Sequence, residues 1–257
     1  MEQLTNWPRR ATSGDGPGAR AASEDLTAWI ARVLAEPGLG RMGHNQRAAD
    51  LNLGLGWLYY GLARVIRPAR AVVIGSWRGF VPLIVGRALQ DNLEGGEVTF
   101  IDPSLVDDFW QDAGAVSRYF ARLSVRNIRH HLSTTQDFTQ TEAYRRHGDI
   151  GLLIVDGYHT AEQARIDYLA FERLLAPRAM VLFHDSMGRR SSGAYGAERR
   201  YEVTVRDYMD ELRRNPGLQL LDVPFGEGLT VLRRIGPGDD EPLVDPPRRS
   251  PAGGINP

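Results

Sequence analysis

The 257-residue chain contains no cysteine and no lysine, and these two absences exclude several kinds of site. Without cysteine there are no disulfides, no thiolate metal ligands and no thiol nucleophile. Without lysine the chain cannot form a Walker-type phosphate loop, a pyridoxal phosphate Schiff base or the Tyr–Lys pair of common reductases. All 31 basic residues are arginine.

Long apolar runs and an excess of charge of one sign are also missing. No run approaches the roughly 18 apolar residues of a membrane-spanning helix. The N-terminal sequence MEQLTNWPRRATSGDG has no apolar signal-peptide region. The formal net charge of −1 gives no electrostatic reason to expect a nucleic acid or a membrane as partner. We therefore expect a cytoplasmic globular protein.

The two termini differ in composition from the rest of the chain. Residues 1–22 are rich in Gly, Ser, Ala and Arg, and residues 236–257 are rich in Pro and Gly. Both segments lack hydrophobic periodicity and are predicted to be disordered. Residues 23–235 show no repeat and no linker, so we predict that they form one domain.

Strand and helix patterns alternate through this domain. Buried-strand patterns are found in Ala71–Gly75, the run ending at Asp102, Asn127–Leu132, Leu152–Asp156 and Met180–His184. Helical patterns are found after a cap at Ser23 and in Asn45–Arg67, Phe80–Asp91, Thr160–Leu175 and Arg199–Arg214. The last apolar stretch predicts a hairpin that turns at 225–228. This order predicts an α/β fold: a doubly wound, mostly parallel, Rossmann-like sheet with extra N-terminal helices and a final antiparallel hairpin.

Two motifs at strand ends favour a nucleoside ligand, because ligands bind at the carboxyl edge of open α/β sheets. The sequence GSWRG (75–79) follows a strand and opens a helix, where glycine lets the backbone turn sharply and approach a ligand. Plain packing glycines can have the same spacing. Asp102 ends the next strand and can accept hydrogen bonds from both ribose hydroxyls, or it can form a turn with Pro103 and Ser104. The dinucleotide pattern GxGxxG is absent, which makes a nicotinamide oxidoreductase the weakest alternative.

Acidic residues and histidines at two further strand ends suggest a metal and a base. Asp156 and Asp185 would repel each other if they converged without a cation or proton between them, and oxygen ligands favour Mg²⁺. His184 either adds a ligand or bonds to the backbone. His159 either takes a proton from a bound hydroxyl or simply precedes the helix cap Thr160.

Aromatic and basic residues provide weaker signals. Trp77 and Tyr158 can line an aromatic site, whereas the helical spacing of Trp57 and Tyr59 predicts that both lie in the core. Arginine pairs flank the segment 191–196, just after Asp185. For these pairs we favour a solvated charge run over a mobile lid.

The strand–GSxxG turn, the acid ending strand two, DGxH after strand four, HD after strand five and the final hairpin together resemble a class I S-adenosylmethionine-dependent methyltransferase. The resemblance extends over about 45–234. Its most specific part is the segment 154–186, which resembles natural-product O-methyltransferases of the cephamycin-pathway and macrolide-sugar (macrocin) type and, distantly, the catechol type. In most such enzymes an acid stands where this chain has Val73.

The resemblance implies S-adenosylmethionine as cofactor and a divalent metal, expected to be Mg²⁺. Cofactor positions would be Gly75, Ser76 and Gly79 for the methionine end, Asp102 for the ribose, and Thr135, Gln136 and Asp137 for the adenine. Metal positions would be Asp156, His184 and Asp185. His159 falls where catechol-type enzymes carry a basic lysine, which makes it the expected catalytic base.

The expected activity is metal-assisted O-methylation of a hydroxyl on a small molecule of the natural-product or sugar type, as in secondary metabolism. One alternative is a metal-independent N- or C-methyltransferase. Another is a catalytically silent nucleoside-binding scaffold. The expected partner is a small-molecule acceptor, and a homo-oligomer is left open.

Overall fold

A seven-stranded sheet lies at the centre of the protein in the computed structural model, which describes residues 24–40 and 43–236. The strands are β1 (Arg70–Ile74), β2 (Glu97–Ile101), β3 (Ile128–His131), β4 (Ile150–Val155), β5 (Leu175–His184), β6 (Arg190–Ser192), β7 (Tyr201–Val203), β8 (Leu218–Val223) and β9 (Leu229–Arg234). The order in the sheet is β3-β2-β1-β4-β5-β9-β8. The first five strands pair in parallel, and β9 pairs antiparallel with both β5 and β8. Strands β6 and β7 form a separate antiparallel hairpin.

Helices cover both faces of the sheet because its central strands are buried on both sides. The helices are α1 (Leu26–Ala35), α2 (Gly56–Ile66), α3 (Phe80–Asp91), α4 (Ala113–Arg122), α5 (Thr135–Phe138), α6 (Glu142–Arg145), α7 (Ala161–Phe171) and α8 (Val205–Leu212). Side chains of β1 alternate between two core clusters. Val73 packs with α1 to α4 on one face. Val72 packs with α5, α7 and α8 on the other. The predicted fold class is confirmed, including the final hairpin.

The order in which strands are added to the sheet reverses between β1 and β4, and this switch point locates the ligand crevice. From β1 the chain continues outward to β2 and β3, and it then returns to place β4 and β5 on the other side of β1. The helices that follow β1 and β4, α3 and α7, therefore lie on opposite faces of the sheet and leave a crevice at the carboxyl ends of the strands. The glycine turn follows β1, and Asp156 follows β4.

The predicted helix Asn45–Arg67 is wrong in its first half. Helix α2 begins only at Gly56, and the preceding residues form a short 3-10 turn with a bridge between Arg47 and Asn52. Gly54 has a φ of +58°, and a Cβ there would lie 2.0 Å from the carbonyl oxygen of His44. The apolar spacing in this segment therefore reflects a folded loop rather than a helix.

The predicted helix Arg199–Arg214 is also shorter than expected. Tyr201–Val203 is strand β7, and α8 begins at Val205. Tyr201 is drawn out of the helix because its ring stacks on that of Tyr158, with a centroid distance of 4.2 Å. At the other end of the domain, α1 is capped by Asp25, whose carboxylate accepts from the amide of Ala28.

Some predictions concern residues outside the described part of the chain. Ser23, the terminal segment 1–22 and residues 237–257 lie there. Among the two aromatic residues predicted to be core, Tyr59 is fully buried, but Trp57 is 42% exposed, so that prediction is wrong for Trp57. Within the described ranges, no helix has the length and apolar character that crossing a membrane requires.

Candidate active site

A cavity of about 500 Å³ opens at the carboxyl ends of the parallel strands. Nine of the predicted site residues line it: Gly75, Ser76, Asp102, Thr135, Gln136, Asp156, His159, His184 and Asp185. We call the part over β1 to β3 the glycine end (Gly75, Ser76, Asp102, Thr135). We call the part over β4 and β5 the imidazole end (His44, Asp156, His159, His184, Asp185). Two predicted residues, Gly79 and Asp137, do not line the cavity.

At the glycine end, the β1 turn brings two backbone segments into direct contact. Gly75 has a φ of +73°, and a Cβ at this position would lie 2.3 Å from the Cα of Gly157. Glycine is therefore required here by the close approach of the loops after β1 and β4. Gly79 begins α3 at a φ of +79°, and its missing side chain makes room for the ring of Trp110. The second glycine thus supports packing rather than the cavity wall.

Asp102 lies on the cavity wall with its carboxylate largely buried. Its Oδ1 accepts a hydrogen bond of 2.7 Å from the amide of Ser104, as the turn interpretation predicts. Burial raises the pKa of Asp102 to about 6. The turn therefore positions the carboxylate and leaves Oδ2 available, so the turn and ligand interpretations are compatible.

The segment predicted to approach an adenine contributes only part of its residues. Thr135 and Gln136 line the cavity, but Asp137 is exposed and accepts from the hydroxyl of Thr134 at the start of α5. A different acid takes its place on the wall. Asp167 of α7 is 1% exposed and accepts from the Thr135 hydroxyl at 2.5 Å.

Asp167 also retains an unused acceptor. Its Oδ1 receives a second hydrogen bond, 2.8 Å long, from Gln163, whereas its buried Oδ2 has no hydrogen-bond partner among the described residues. Burial raises the pKa of this carboxyl to about 6. An unpaired buried acceptor costs free energy, and a donor on a bound ligand would remove that cost.

At the imidazole end, Asp156 lies between two buried histidines. The Nδ1 of His184 is 3.0 Å from its Oδ1, and the Nε2 of His44 is 3.8 Å from its Oδ2. Burial opposes ionisation of Asp156, but the adjacent imidazoles, chiefly His184, hold its pKa at about 2. The carboxylate is therefore charged throughout the neutral range.

His184 is enclosed and poorly satisfied. Its Nδ1 also lies 3.2 Å from Oδ1 of Asp185, so this nitrogen faces both carboxylates as an ion-pair partner. Its Nε2 is buried without a hydrogen-bond partner in the described structure. Burial alone would lower the pKa of His184, but the charges of Asp156 and Asp185 raise it above the ordinary value.

Asp185 contacts Arg190, which begins β6, and His159, in the turn before α7. Its Oδ2 accepts from the guanidinium of Arg190 at 2.5 Å and lies 3.7 Å from the Nε2 of His159. Its backbone has a φ of +55°, which a non-glycine residue rarely adopts. Strain of this kind occurs at functional sites where the surrounding structure imposes it.

His159 has the properties of a neutral base. Burial lowers its pKa below the ordinary value, although the carboxylates of Asp185 and Asp156 oppose this shift. Its backbone carbonyl accepts from the amide of Thr204, which fixes the turn before α7. Thr160 caps α7 as predicted, accepting from the amide of Gln163 at 3.2 Å.

The β6–β7 hairpin forms one wall of the cavity. Tyr195 and Tyr201 line the cavity together with Tyr158, and the three rings have centroid distances of 4.2 to 5.7 Å. Arg190 at the base of the hairpin binds Asp185. Arg190 is therefore part of the site, contrary to the favoured prediction, whereas Arg189, Arg199 and Arg200 are exposed, as a solvated charge run predicts.

The comparisons with known proteins agree with this arrangement. Residues 72–186 match a family described as "Methyltransferase domain". The matched segment runs from β1 to the residue after Asp185, and it includes all eleven predicted site residues. The predicted enzyme class, an S-adenosylmethionine-dependent methyltransferase, is confirmed by this match, whereas the narrower natural-product branch stays a prediction.

Solved structures similar to this chain share its fold. A methyltransferase from Geobacter sulfurreducens is 18% identical with a TM-score of 0.55, over 81% of this chain and 88% of that one. The O-methyltransferase TomG from Streptomyces achromogenes, solved with S-adenosylmethionine, is 17% identical with a TM-score of 0.56, over 83% and 91%. An O-methyltransferase from Bacillus cereus, solved with S-adenosylhomocysteine, is 12% identical with a TM-score of 0.57, over 82% and 92%. No curated protein sequence matches the chain.

Three residues that line the cavity were missed by sequence reasoning. His44 precedes the matched segment and stands immediately before the segment predicted to be helix, 45–67. Asp167 has the spacing of an ordinary polar position on α7. Arg190 is part of an arginine pair in a chain with 31 arginines. None of these residues stands at the carboxyl end of a strand, which was the signal that found the others.

Proposed function

We propose that this protein transfers a methyl group from S-adenosylmethionine to a hydroxyl oxygen of a small molecule. One observation carries the proposal: a single cavity joins a glycine turn with a buried acid, at one end, to an acid–imidazole cluster at the other. The reaction would replace an O–H bond by an O–CH₃ bond and release S-adenosylhomocysteine and a proton. The cofactor supplies the methyl group as a sulfonium electrophile, so the protein has mainly to align the reactants.

The glycine end supports the binding of the cofactor. Ser76 and the backbone around Gly75 would contact its methionine part, and Asp102 would accept from the ribose hydroxyls. Thr135 and Gln136 would lie beside the adenine. We propose that Asp167, rather than Asp137, accepts a hydrogen bond from a ligand at this end through its unpaired Oδ2.

The imidazole end supports proton removal from the acceptor. His159 lies on the cavity wall in a neutral form, so it can take a proton at Nε2. Asp185, 3.7 Å away, would stabilise the imidazolium that results. The tyrosines of the hairpin wall would hold an acceptor and keep water from the reacting atoms.

A divalent cation fits the residues at this end. Two groups of ligand atoms converge here, His44 with Asp156 and His184, and His159 with His184 and Asp185. Each group contains one carboxylate, and the unpartnered Nε2 of His184 is buried beside them. When bound, a cation would supply positive charge that stabilises the deprotonated acceptor oxygen. The sequence-based expectation for its identity is Mg²⁺.

One contact favours a second candidate, a metal-independent N- or C-methyltransferase. Arg190 lies 2.5 Å from Asp185, which gives this carboxylate a cationic partner within the chain itself. If chelation leaves methyl transfer unchanged, this candidate replaces the metal-assisted reaction. A bound cofactor without turnover on any class of acceptor supports the catalytically silent scaffold.

The decisive experiment for cofactor use is ligand-induced thermal stabilisation. We expect S-adenosylhomocysteine to raise the melting temperature and NAD to leave it unchanged, with Mg²⁺ and with chelator. Asp102→Asn should abolish most of the shift, whereas Asp108→Asn, at an exposed position six residues further on, should retain it. The absence of a shift with S-adenosylhomocysteine would contradict the proposed function.

A further inference from the structure

The loop 43–55 carries His44 into the imidazole end from outside the matched methyltransferase segment. His44 is 1% exposed, and its ring lies 4.3 Å from that of His184, between centroids. The two ends of the loop meet: the amide of Leu55 donates a hydrogen bond of 2.7 Å to the carbonyl oxygen of His44, next to Gly54. The position of His44 is therefore set by backbone contacts rather than by a flexible side chain.

The two nitrogens of the His44 ring have different surroundings. Nδ1 is 3.1 Å from the hydroxyl of Tyr59, which is itself fully buried. Nε2 points to the other side, where Oδ2 of Asp156 lies 3.8 Å away, beyond hydrogen-bonding distance. Histidines that bind metals commonly show this pattern, with one nitrogen held by an outer partner and the other directed at the ion.

Several atoms that could bind a metal ion converge around His44. Ligand atoms of His44, Asp156 and His184 all lie within 4.8 Å of one another. The Nε2 of His184 is buried without a hydrogen-bond partner, and its Nδ1 faces the carboxylates of Asp156 and Asp185. Groups of this polarity are costly to bury unpaired, and a cation among them would satisfy all three residues together.

The two carboxylates of the imidazole end have different ion-pair partners. Asp185 has Arg190 as a permanent cationic partner. Within the described part of the chain, the ion-pair partners of Asp156 are the imidazoles of His44 and His184. The unfilled position for a cation is therefore beside Asp156, not midway between the two carboxylates.

We propose that His44, Asp156 and His184 bind a divalent first-row transition-metal ion of the Zn²⁺ class, and that Mg²⁺ is not its natural occupant. Two imidazoles and one carboxylate match the ligands that such ions select, whereas Mg²⁺ takes oxygen ligands almost exclusively. Tyr59 orients His44 by holding its Nδ1. The inference rests on the proposed function for the role of the ion, but ion binding is measured without turnover.

The test uses the full chain, purified without a histidine tag and stripped of metal by a chelator. Zn²⁺ and Mg²⁺ are titrated separately by calorimetry, and Co²⁺ is added as an optical probe of nitrogen ligation. We expect one Zn²⁺ per chain, bound on the order of 100-fold or more tightly than Mg²⁺, and a Co²⁺ absorption spectrum with imidazole ligands.

Variants separate ligation by His44 from its role in packing. In His44→Asn the amide can still reach the Tyr59 hydroxyl, but no group replaces Nε2. We expect Zn²⁺ affinity to fall by about 100-fold, with the melting temperature of the metal-free protein nearly unchanged. Tyr59→Phe should lower the affinity by about 10-fold through loss of orientation. His147→Asn, at a half-buried histidine away from the cavity, is the matched control and should bind Zn²⁺ like the wild type.

Two results would overturn the inference. One is tighter binding of Mg²⁺ than of Zn²⁺. The other is Zn²⁺ binding that is unaffected in both His44→Asn and Tyr59→Phe. Stabilisation by S-adenosylhomocysteine is measured on the same samples: if it persists while no ion binds, the ion site is wrong and the proposed cofactor function stands. If S-adenosylhomocysteine does not stabilise the protein while Zn²⁺ binds through His44, the ion site stands and the proposed function is wrong.

Discussion

The glycine end and the imidazole end of the cavity are built in different ways. At the glycine end the polar groups are already positioned by local bonds: Ser76 accepts from the amide of Val81, and Asp102 accepts from that of Ser104. At the imidazole end, the buried Nε2 of His184 has no hydrogen-bond partner in the described structure. The first end is formed by backbone turns, and the second depends on side chains that distant segments bring together. The difference implies that the two ends respond differently to substitution.

The largest effect is expected where both ends share one structural element. Gly75→Ala would place a Cβ 2.4 Å from the carbonyl oxygen of Asp156 and 2.3 Å from the Cα of Gly157, at a φ of +73°. Because both contacts are with backbone, we expect the free energy of unfolding to fall by about 3 kcal/mol or more. Urea unfolding measures this. Gly61→Ala in α2 is the control, since the added Cβ would meet no atom within 4 Å beyond its chain neighbours and the backbone of its own helix, and alanine favours helix. Equal stability of the two variants would contradict the shared role of Gly75.

Removal of the proposed base should affect the imidazole end alone. His159→Asn is expected to lower kcat by about 10²- to 10⁴-fold, because the acceptor proton then lacks a positioned base. Binding of S-adenosylhomocysteine should stay within about twofold of the wild type, since His159 lies over β4 rather than at the glycine end. Single-turnover assays and calorimetry give the two quantities, with His147→Asn as control. A matching loss in both quantities would show that the ends are not separable.

Asp102→Asn should weaken cofactor binding and yet stabilise the fold. Its pKa of about 6 is raised above the ordinary 3.8 by burial, so ionisation destabilises the native state. A shift of about two pKa units corresponds to about 3 kcal/mol, fully present above pH 6 and lost as the pH falls towards 4. We expect the stability gained over the wild type at pH 7.5 to disappear near pH 4 in urea unfolding. A gain that did not depend on pH would point to a cause other than ionisation.

The smallest effect on cofactor binding is expected for the acids Asp167 and Asp137, which lie near Thr135 and Gln136. Asp167→Asn should weaken binding of S-adenosylhomocysteine by about 10-fold, because its unpaired Oδ2 would be replaced or rearranged. Asp137→Asn is the matched control and should leave the affinity unchanged, since Asp137 is exposed and off the cavity wall. Calorimetry distinguishes them. The reverse order of effects would restore Asp137 as the ligand contact.

Sequence patterns predicted the elements whose boundaries depend on local chemistry. The parallel strands were recognisable because both faces are buried, and their apolar runs end in Gly, Asp or His. Nine of the eleven predicted site residues line one cavity for the same reason: they stand at the carboxyl ends of strands that neighbour one another. The exceptions are Gly79, which is used in packing, and Asp137, which lies on the outer side of a short helix.

The errors arise where tertiary contacts override a local pattern. The helical spacing before Gly56 is consistent with α2, but Gly54 at positive φ and its contact with the loop of His44 require a turn. Tyr201 has the spacing of α8 and instead stacks on Tyr158. In both cases the misassigned residues belong to segments that bring groups to the cavity.

The strands of the sheet, the polar residues at their carboxyl ends and the glycine turn after β1 could be predicted from the sequence. These features depend on burial periodicity and on backbone conformations that few residues permit. The approach of His44 to Asp156 and the ion pair of Asp185 with Arg190 follow instead from tertiary packing. Such contacts join residues far apart in the chain, and no local preference of His44 or Arg190 specifies them. The physical reason is that packing, rather than periodicity, determines which buried polar groups remain without a partner.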